Sequence, residues 1–406
     1  MGIGASAGGF EAFKKLLNAI PQKSGMAYIL VQHLSPDHYS SLPEILQRET
    51  ILPVLEISNN LEVKPDNIYI IPSNKLLTAN DGILKLSPRR KDHKNMPIDI
   101  FFTSLADVHR SHAIGVVLSG SGSDGTIGLK NIKDQGGITF AQEPEGAAFG
   151  DMPKSAIEAE VVDFILAPEL IPKRLLELEK TLNKPLSSKG DKSPEKLTDE
   201  ESYRQIITLL RIRHGVDFNF YKQTTISRRI LRRMALLKIE KFIDYRQFIK
   251  DNKEELDLLF NDLLIRVTNF FRDPETFQYL SEKIFPELLK NKVSNTVRIW
   301  VAGCATGEEA YSIGICLYEY LNDKDAARVQ IFATDVSEQA IAIARKGIYD
   351  KRQLEGVSDN RLQHFFTKTD GHYQVKKNIR DMCVFATHNF LKDPPFAKTG
   401  LISCRN

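Results

Sequence analysis

No stretch of this 406-residue chain approaches the roughly 18 consecutive apolar residues that cross a bilayer, so no direct membrane insertion is expected. Glycine and alanine follow Met1 without a basic or long apolar stretch, which argues against a signal peptide. An excess of one charge is also lacking. Net charge is +3, so the chain has no global signature for a polyanion or a membrane surface, and only a local basic patch remains open. A broad basic field with exposed aromatics, as nucleic-acid binding needs, is not seen. Cysteines are few: Cys304, Cys316, Cys383 and Cys404, all in the second half and without metal-ligand spacing. They read as reduced, buried thiols of a cytoplasmic protein, and no metal is expected. Internal repeats are absent. What is there is an ordinary globular composition at a length that exceeds one typical core, which predicts two or three domains.

Residues 1 to about 180 alternate short apolar runs with helical patterns. Strands are expected near 27–32, 67–71, 113–119, 137–141 and 161–166, and helices near 9–19, 97–109, 126–134 and 168–180. That alternation predicts an α/β domain with a doubly wound, mostly parallel sheet. The segment KLLTANDGILKLSP, turning at Asn80, Asp81 and Gly82, reads as a hairpin at one side of the sheet. Residues 181–197, rich in Lys, Ser, Pro and Gly, read as a linker. Residues 198–292 are helical in pattern and form a small all-helical subdomain, opened by a capping box of Thr198 and Glu201. From 293 to 406 strand–helix alternation returns, predicting a second, Rossmann-like α/β domain.

Three strand ends of the first domain stop on different members of a hydrolytic triad. GIGASAGG ends on Ser6, AYILVQH on His33, and AIGVVLSGSGSDG runs to Asp124. In a parallel sheet all strand C-termini share one edge, where open α/β folds place their ligands. A nucleophile, a base and an acid delivered there are what acyl transfer requires. The oxyanion donors are expected among the amides of Gly120–Ser123 and Ala7. GIGASA also fits dinucleotide spacing, but the next strand then ends on Gln32 and His33 rather than on the acid that a ribose wants.

In the second domain VRIWVAGCATGEEAYS reads as strand, small-residue turn and helix, and the next strand ends at Asp335. Gly303 and Gly307 allow close approach of a ligand, and Asp335 is placed to accept ribose hydroxyls. The loop lacks the G-x-G-x-x-G of NAD sites. S-adenosylmethionine fits better, with the acidic pair Glu308 and Glu309 near a cationic sulfonium. Either glutamate alone also suits a helix N-terminus.

These motifs carry two resemblances. GASAGG, VQHLSPDH, PIDIFFTSLA, GVVLSGSGSDGTIGLKNIKDQGG and FGDMP resemble the catalytic domain of the chemotaxis receptor methylesterases (CheB-type). That resemblance implies hydrolysis of γ-glutamyl methyl esters on receptor helices, and glutamine deamidation, with Ser6 as nucleophile, His33 as base and Asp124 as orienter. Two departures are visible: Ser121 stands where that family often has Met, and the receiver domain of the standalone enzymes is absent. From about residue 200, YKQTTISRRILRRM, RVTNFFRD, WVAGCATGEEAYS, FATDVS, ARKGIYD, THNFLKDPPF and ISCRN resemble the chemotaxis receptor methyltransferases (CheR-type). This implies methyl transfer from S-adenosyl-L-methionine to receptor glutamates. By motif, Thr268, Arg272, Glu309, Asp335, Asn389, Phe390 and Asn406 contact the cofactor. Arg266 stands where that family sometimes has asparagine.

On the helix near 226–238, Arg228, Arg229, Arg232 and Arg233 form a basic face beside an aliphatic one. It reads as a solvated face, and the resemblance shifts it toward a docking surface for acidic receptor helices. Both ends look cut, so a fragment of a larger fusion is expected. The expected function is a bifunctional chemotaxis adaptation enzyme acting on methyl-accepting chemoreceptor helices, with sensory or phosphorelay partners as further candidates. The open alternatives are an active esterase fused to a non-catalytic docking half, and a general serine esterase fused to a methyltransferase for another acceptor.

Overall fold

A computed structural model describes all residues except 33–41, 90–94, 183–193, 265–267, 291–295, 322–328, 355, 370 and 406. The chain divides into two compact units, Met1–Ile265 and Arg266–Asn406.

The first unit begins with β1 (Gly2–Ala5), α1 (Gly9–Asn18), β2 (Tyr28–Gln32), α2 (Leu42–Gln47), β3 (Val54–Glu56), β4 (Leu61–Glu62) and β5 (Ile68–Ile70). It continues with β6 (Lys75–Asn80), β7 (Ile83–Pro88), α3 (Pro97–His109), β8 (Ile114–Val117), α4 (Thr126–Asp134), β9 (Ile138–Gln142), α5 (Asp151–Glu158), β10 (Phe164–Leu166) and α6 (Ile171–Leu182). Seven strands form one sheet in the order β10-β9-β8-β1-β2-β5-β3, every pairing parallel. The expected doubly wound architecture is therefore present.

Period-two burial explains the two covered faces. On β2, Leu30 points into a core with Phe13, Leu16 and Leu17 of α1 and Leu175 of α6. Ile29 and Val31 point into the opposite core with Phe101 and Phe102 of α3 and Leu129 of α4. β1 is Gly-Ile-Gly-Ala because α3 lies directly on it. A Cβ on Gly4 would stand 2.4 Å from Ile98 Cγ2, closer than any real contact.

The hairpin forms with the expected turn, but not at the side of the main sheet. β6 and β7 join β4 in a separate three-stranded antiparallel sheet. Leu77, Ala79 and Leu84 need an apolar partner, and find it on the α3 side of the core. The Ala79 amide also donates to Ser104 Oγ of α3.

The helical region comprises α7 (Pro194–His214), α8 (Gln223–Leu236), α9 (Phe242–Asp251) and α10 (Lys253–Leu263). Most of the expected linker lies outside the described residues, and helix runs into both its ends. The division between the two units falls at Ile265/Arg266, inside the expected helical stretch. The helices after it belong to the second unit because Phe270, Phe271, Phe277 and Phe285 are buried in that unit's core.

The arginine face of α8 is not solvated. Arg229 and Arg232 are buried, and with Arg228 they bind the esterase-like domain. Arg233 turns to Glu255 of α10 instead. A helix with arginines at successive turns supplies donors, and the partner surface supplies carbonyls and carboxylates.

The second unit contains α11 (Pro274–Tyr279), α12 (Phe285–Lys290), β11 (Val297–Ala302), α13 (Glu308–Leu321), β12 (Val329–Asp335) and α14 (Glu338–Lys346). It ends with β13 (Ile348–Asp350), β14 (Phe366–Thr369), β15 (His372–Val375), β16 (Cys383–Thr387) and β17 (Leu401–Cys404). Strands β16-β12-β11-β17 form a parallel sheet and β13-β15-β14 an antiparallel one. Of the four thiols only Cys304 and Cys316 are fully buried; Cys383 is half-buried and Cys404 exposed, because it points outward on β17. Burial pushes the Cys316 thiol up to about 11. Among the described residues no His/Cys/Asp/Glu cluster could hold a metal. None of the described helices is long and apolar enough to cross a membrane.

The first unit carries a pH dependence. Desolvation lowers the pKa of His109, His112 and His214, and for His112 the charge of Arg228 adds to the effect. The unfolded chain therefore takes up protons near 6.5 that the fold resists. These groups support stability above that pH, and the support is lost as pH falls through their folded values. The urea midpoint of the chain is expected to drop between pH 7.5 and 5.5. The lowered carboxylates Asp66, Asp217 and Asp257 add nothing in that window, since their ordinary value is 3.8. A flat midpoint across it would remove the histidines from the balance.

Candidate active sites at two sheet edges

In the first sheet β1 lies between β8 and β2. The chain winds from β1 to β2 on one side and later places β8 on the other, so the crevice beside β1 is the topological switch point. Ser6 follows β1 there. Gly8, with φ +71°, turns the chain into α1, and the Gly9 amide donates to the Ser6 carbonyl at 3.0 Å. The Ser6 amide donates to the Ser119 carbonyl at 2.9 Å. Ser119 Oγ donates to the Ala7 carbonyl at 2.8 Å and accepts from the Phe149 amide at 3.0 Å. The serine turn is thus tied to the loop after β8 and to the segment before α5.

Asp124, 4 % exposed, ends that loop. Its Oδ2 accepts from the Ile98 amide at 3.1 Å and its Oδ1 from the Asp99 amide at 2.9 Å. Those are first-turn donors of α3, which Pro97 opens and which have no partner inside the helix. Asp99 returns the link, its Oδ1 accepting from the Gly128 amide of α4 at 2.8 Å. A carboxylate oxygen can accept more than one hydrogen bond, so capping α3 is compatible with orienting a base. His33 lies outside the described residues; β2 ends at Gln32, one residue before it. The expected oxyanion donor Gly120 is used otherwise, since its amide donates to the Phe149 carbonyl at 2.9 Å.

In the second unit the parallel register aligns the ends of four strands. Ala302 pairs with Thr334 and Cys404, and Asp335 pairs with Thr387. Glu309, Asp335 and Asn389 follow these strand ends on one edge. Asp335 Oδ2 accepts from the Ala305 amide at 3.0 Å and Oδ1 from the Ser337 amide at 2.8 Å. It anchors the glycine loop to the end of β12 and keeps further acceptor positions. Gly303 has φ +73°, and no atom lies within 4 Å of where its Cβ would stand.

The paired glutamates separate. Glu308 is 2 % exposed and takes the Thr306 hydroxyl, so it does not face a ligand as expected. Glu309 is half-buried and accepts from Ser403 Oγ at 2.6 Å. Arg405 approaches Glu309 at 3.9 Å, donates to the Arg272 carbonyl at 2.9 Å and pairs with Asp273. The structure therefore brings Arg272 and Glu309 together through Arg405. Ser403 and Arg405 escaped the sequence reading, although both lie in the quoted ISCRN motif. Asn389 forms a turn, its side-chain oxygen accepting from the Leu391 amide, and Phe390 is 52 % exposed. Thr268 is half-buried, while Arg266 and Asn406 lie outside the described residues.

Comparison with known proteins agrees with this division. Residues 1–175 match the family model for CheB methylesterase, 201–264 that for the CheR methyltransferase all-alpha domain, and 266–406 that for the CheR methyltransferase SAM binding domain. A 104.1 kDa protein from the hypE 3' region of Rhodobacter capsulatus is 34% identical over 389 residues, covering 90% of this chain. The chain spans only 40% of that relative's length. A Leptospira interrogans protein, provisionally named protein-glutamate methylesterase/protein-glutamine glutaminase, is 35% identical over 179 residues, 44% of this chain and 93% of its own. The provisionally named methyltransferase Cher3 of Pseudomonas putida is 30% identical over 220 residues, 52% of this chain and 78% of its own. The crystal structure of the Thermotoga maritima CheB methylesterase catalytic domain is 32% identical. It covers 44% of this chain and 96% of that one, with a TM-score of 0.41. The chain thus belongs to the CheB methylesterase family through its first part and to the CheR methyltransferase family, with that family's SAM-binding domain, through its second.

Proposed function

We propose that this chain removes methyl esters from glutamate side chains of chemoreceptor helices with its first part and adds them with its second, in the cytoplasm. The observation that carries the reading is that the serine follows β1 and a buried aspartate ends the loop after the neighbouring β8, at the switch point of the parallel sheet. Ser6 Oγ attacks the ester carbonyl carbon and its proton passes to His33. Methanol leaves with that proton, and water activated by the same base releases the carboxylate. Asp124 holds the imidazole tautomer and stabilises its cation. A primary amide can follow the same path with ammonia leaving, which is glutamine deamidation. The amides of Ala7 and the loop after Gly120 receive the oxyanion.

In the second part S-adenosylmethionine, when bound, supplies a methyl group to a carboxylate oxygen. Asp335 accepts the ribose hydroxyls, Gly303 gives room for the backbone to approach, and Glu309 lends negative charge near the sulfonium. Thr268, Arg272, Asn389, Phe390 and Asn406 complete the set by resemblance. Opposed activities on one chain call for a selector, for which sensory or phosphorelay partners are the candidates.

Methanol release from methyl-labelled receptor tests the esterase half, and calorimetric titration with S-adenosylmethionine tests the other. Asp335→Ala is expected to raise the dissociation constant about 10- to 100-fold, from loss of charged hydrogen bonds and of the anchor on Ala305. An unchanged constant would remove Asp335 from the site.

A further inference from the structure

The arginine face of α8 meets the far end of the helix that begins beside Asp124. Arg229 donates to the carbonyls of Asp134 at 2.7 Å and Lys133 at 3.4 Å. These are the last carbonyls of α4, at its negative dipole end; the Lys133 carbonyl also accepts from the Gly136 amide at 2.8 Å. Arg232 Nε donates to the Gly137 carbonyl at 3.1 Å, and its guanidinium bridges Asp163 and Asp262. Arg228 donates to the Ser111 carbonyl at 3.2 Å. The surface is moulded to these groups: a Cβ on Gly136, where φ is +83°, would stand 2.6 Å from the Arg229 guanidinium carbon. In return Arg174 of α6 donates to the Ala235 carbonyl at 2.8 Å, and Ala235 is buried in the esterase core.

At its other end α4 follows Asp124 after the single residue Gly125. Its first turn is tied to α3 through Gly128 and Asp99, and Asp124 holds the first amides of α3. Nine residues of helix, about 13 Å, join the two ends. We propose that the α8 arginine face is a coupling surface, through which the helical domain of the transferase part sets the position of Asp124 by holding the C-terminal end of α4. Arg229 is then a positioning residue for ester hydrolysis, on an element that belongs to the opposing enzyme. Whatever shifts α8 changes the esterase without touching its substrate. The inference rests on the esterase reading above.

The test uses the full chain. Arg229 is the residue to change, because it donates to backbone carbonyls, whereas Arg232 pairs with two carboxylates. Arg229→Ala is expected to lower kcat for methanol release about tenfold with KM unchanged. Gly136→Ala, which crowds the same guanidinium from the esterase side, is expected to act in the same direction. Arg211→Ala removes an exposed charge on α7 and is expected to keep the native rate. Hydrogen exchange gives a readout independent of activity. The amides of Ile98 and Asp99, which donate to Asp124, should exchange about tenfold faster in Arg229→Ala. A folded Arg229→Ala chain with native kcat and native exchange at those two amides overturns the coupling. A native chain that releases no methanol overturns the esterase reading instead, and the exchange measurement still decides the coupling.

Discussion

Methanol release from methylated receptor should fall by about a thousandfold or more in the Ser6→Ala variant, with the melting temperature unchanged. The expected loss is large because the hydroxyl is the only part of Ser6 that the substitution removes. Its backbone contacts, the amide on Ser119 and the carbonyl under Gly9, survive in alanine. The neighbouring hydroxyl of Ser119 cannot substitute. Ser119 is buried, and its Oγ is held between the Ala7 carbonyl and the Phe149 amide. Residual release near the native rate would mean that water attacks without a covalent intermediate, and would take the nucleophile role from Ser6. Loss of release together with loss of folding would show only that the turn needs the hydroxyl, which the hydrogen bonds give no reason to expect.

The largest stability effect is expected at Arg232. Its guanidinium is 1 % exposed and stands between Asp163 and Asp262, with its Nε on the Gly137 carbonyl. Burial works against its charge, but the two carboxylates outweigh that and keep the guanidinium protonated. Arg232→Ala removes the buried guanidinium from Asp163 and Asp262 and leaves Asp163 only Lys133, at 3.7 Å, as a cation, which costs about 3–5 kcal/mol. Urea unfolding would show this as a lower midpoint at nearly unchanged slope. The double variant Arg232→Ala/Asp163→Ala should recover part of the loss, because one stranded charge is gone. Additive losses in the two single variants would mean that the residues do not act as a pair. Asp163 also accepts the Thr139 amide at 3.0 Å, so its own removal costs something at the sheet edge.

Much of the fold was legible in the sequence, because the signals were local. The helix expected near 97–109 is α3, whose Ile98, Phe101, Phe102 and Leu105 are buried. α4 was equally clear, and the parallel sheet followed from the alternation of short apolar runs with helices. The hairpin turn at Asn80–Gly82 was visible, but its sheet was not. Pairing with β4 depends on Leu61 and Glu62, two residues with no strand signature of their own. The division at Ile265/Arg266 was hidden for a related reason. Helical periodicity continues past it, and only packing reveals that Phe270 and Phe271 belong to the second core.

The candidate sites show the same limit. Ser6 and Asp124 stood out because strand ends and glycine turns mark a sheet edge; in the structure Ser6 follows β1, and Asp124 ends the loop after the neighbouring β8, seven residues past that strand. That Asp124 caps α3 could not be read, since Ile98 and Asp99 lie 26 and 25 residues away. The two adjacent glutamates were equivalent as letters. A helix turns about 100° per residue, so Glu308 faces the core and Thr306 while Glu309 faces Ser403. The arginine repeat of α8 was plain as a basic face, yet its partner was not. Spacing along one helix specifies which side chains point the same way. What they meet is decided by distant carbonyls and carboxylates, here those of Lys133, Asp134, Gly137 and Asp163, which only the folded chain brings within reach.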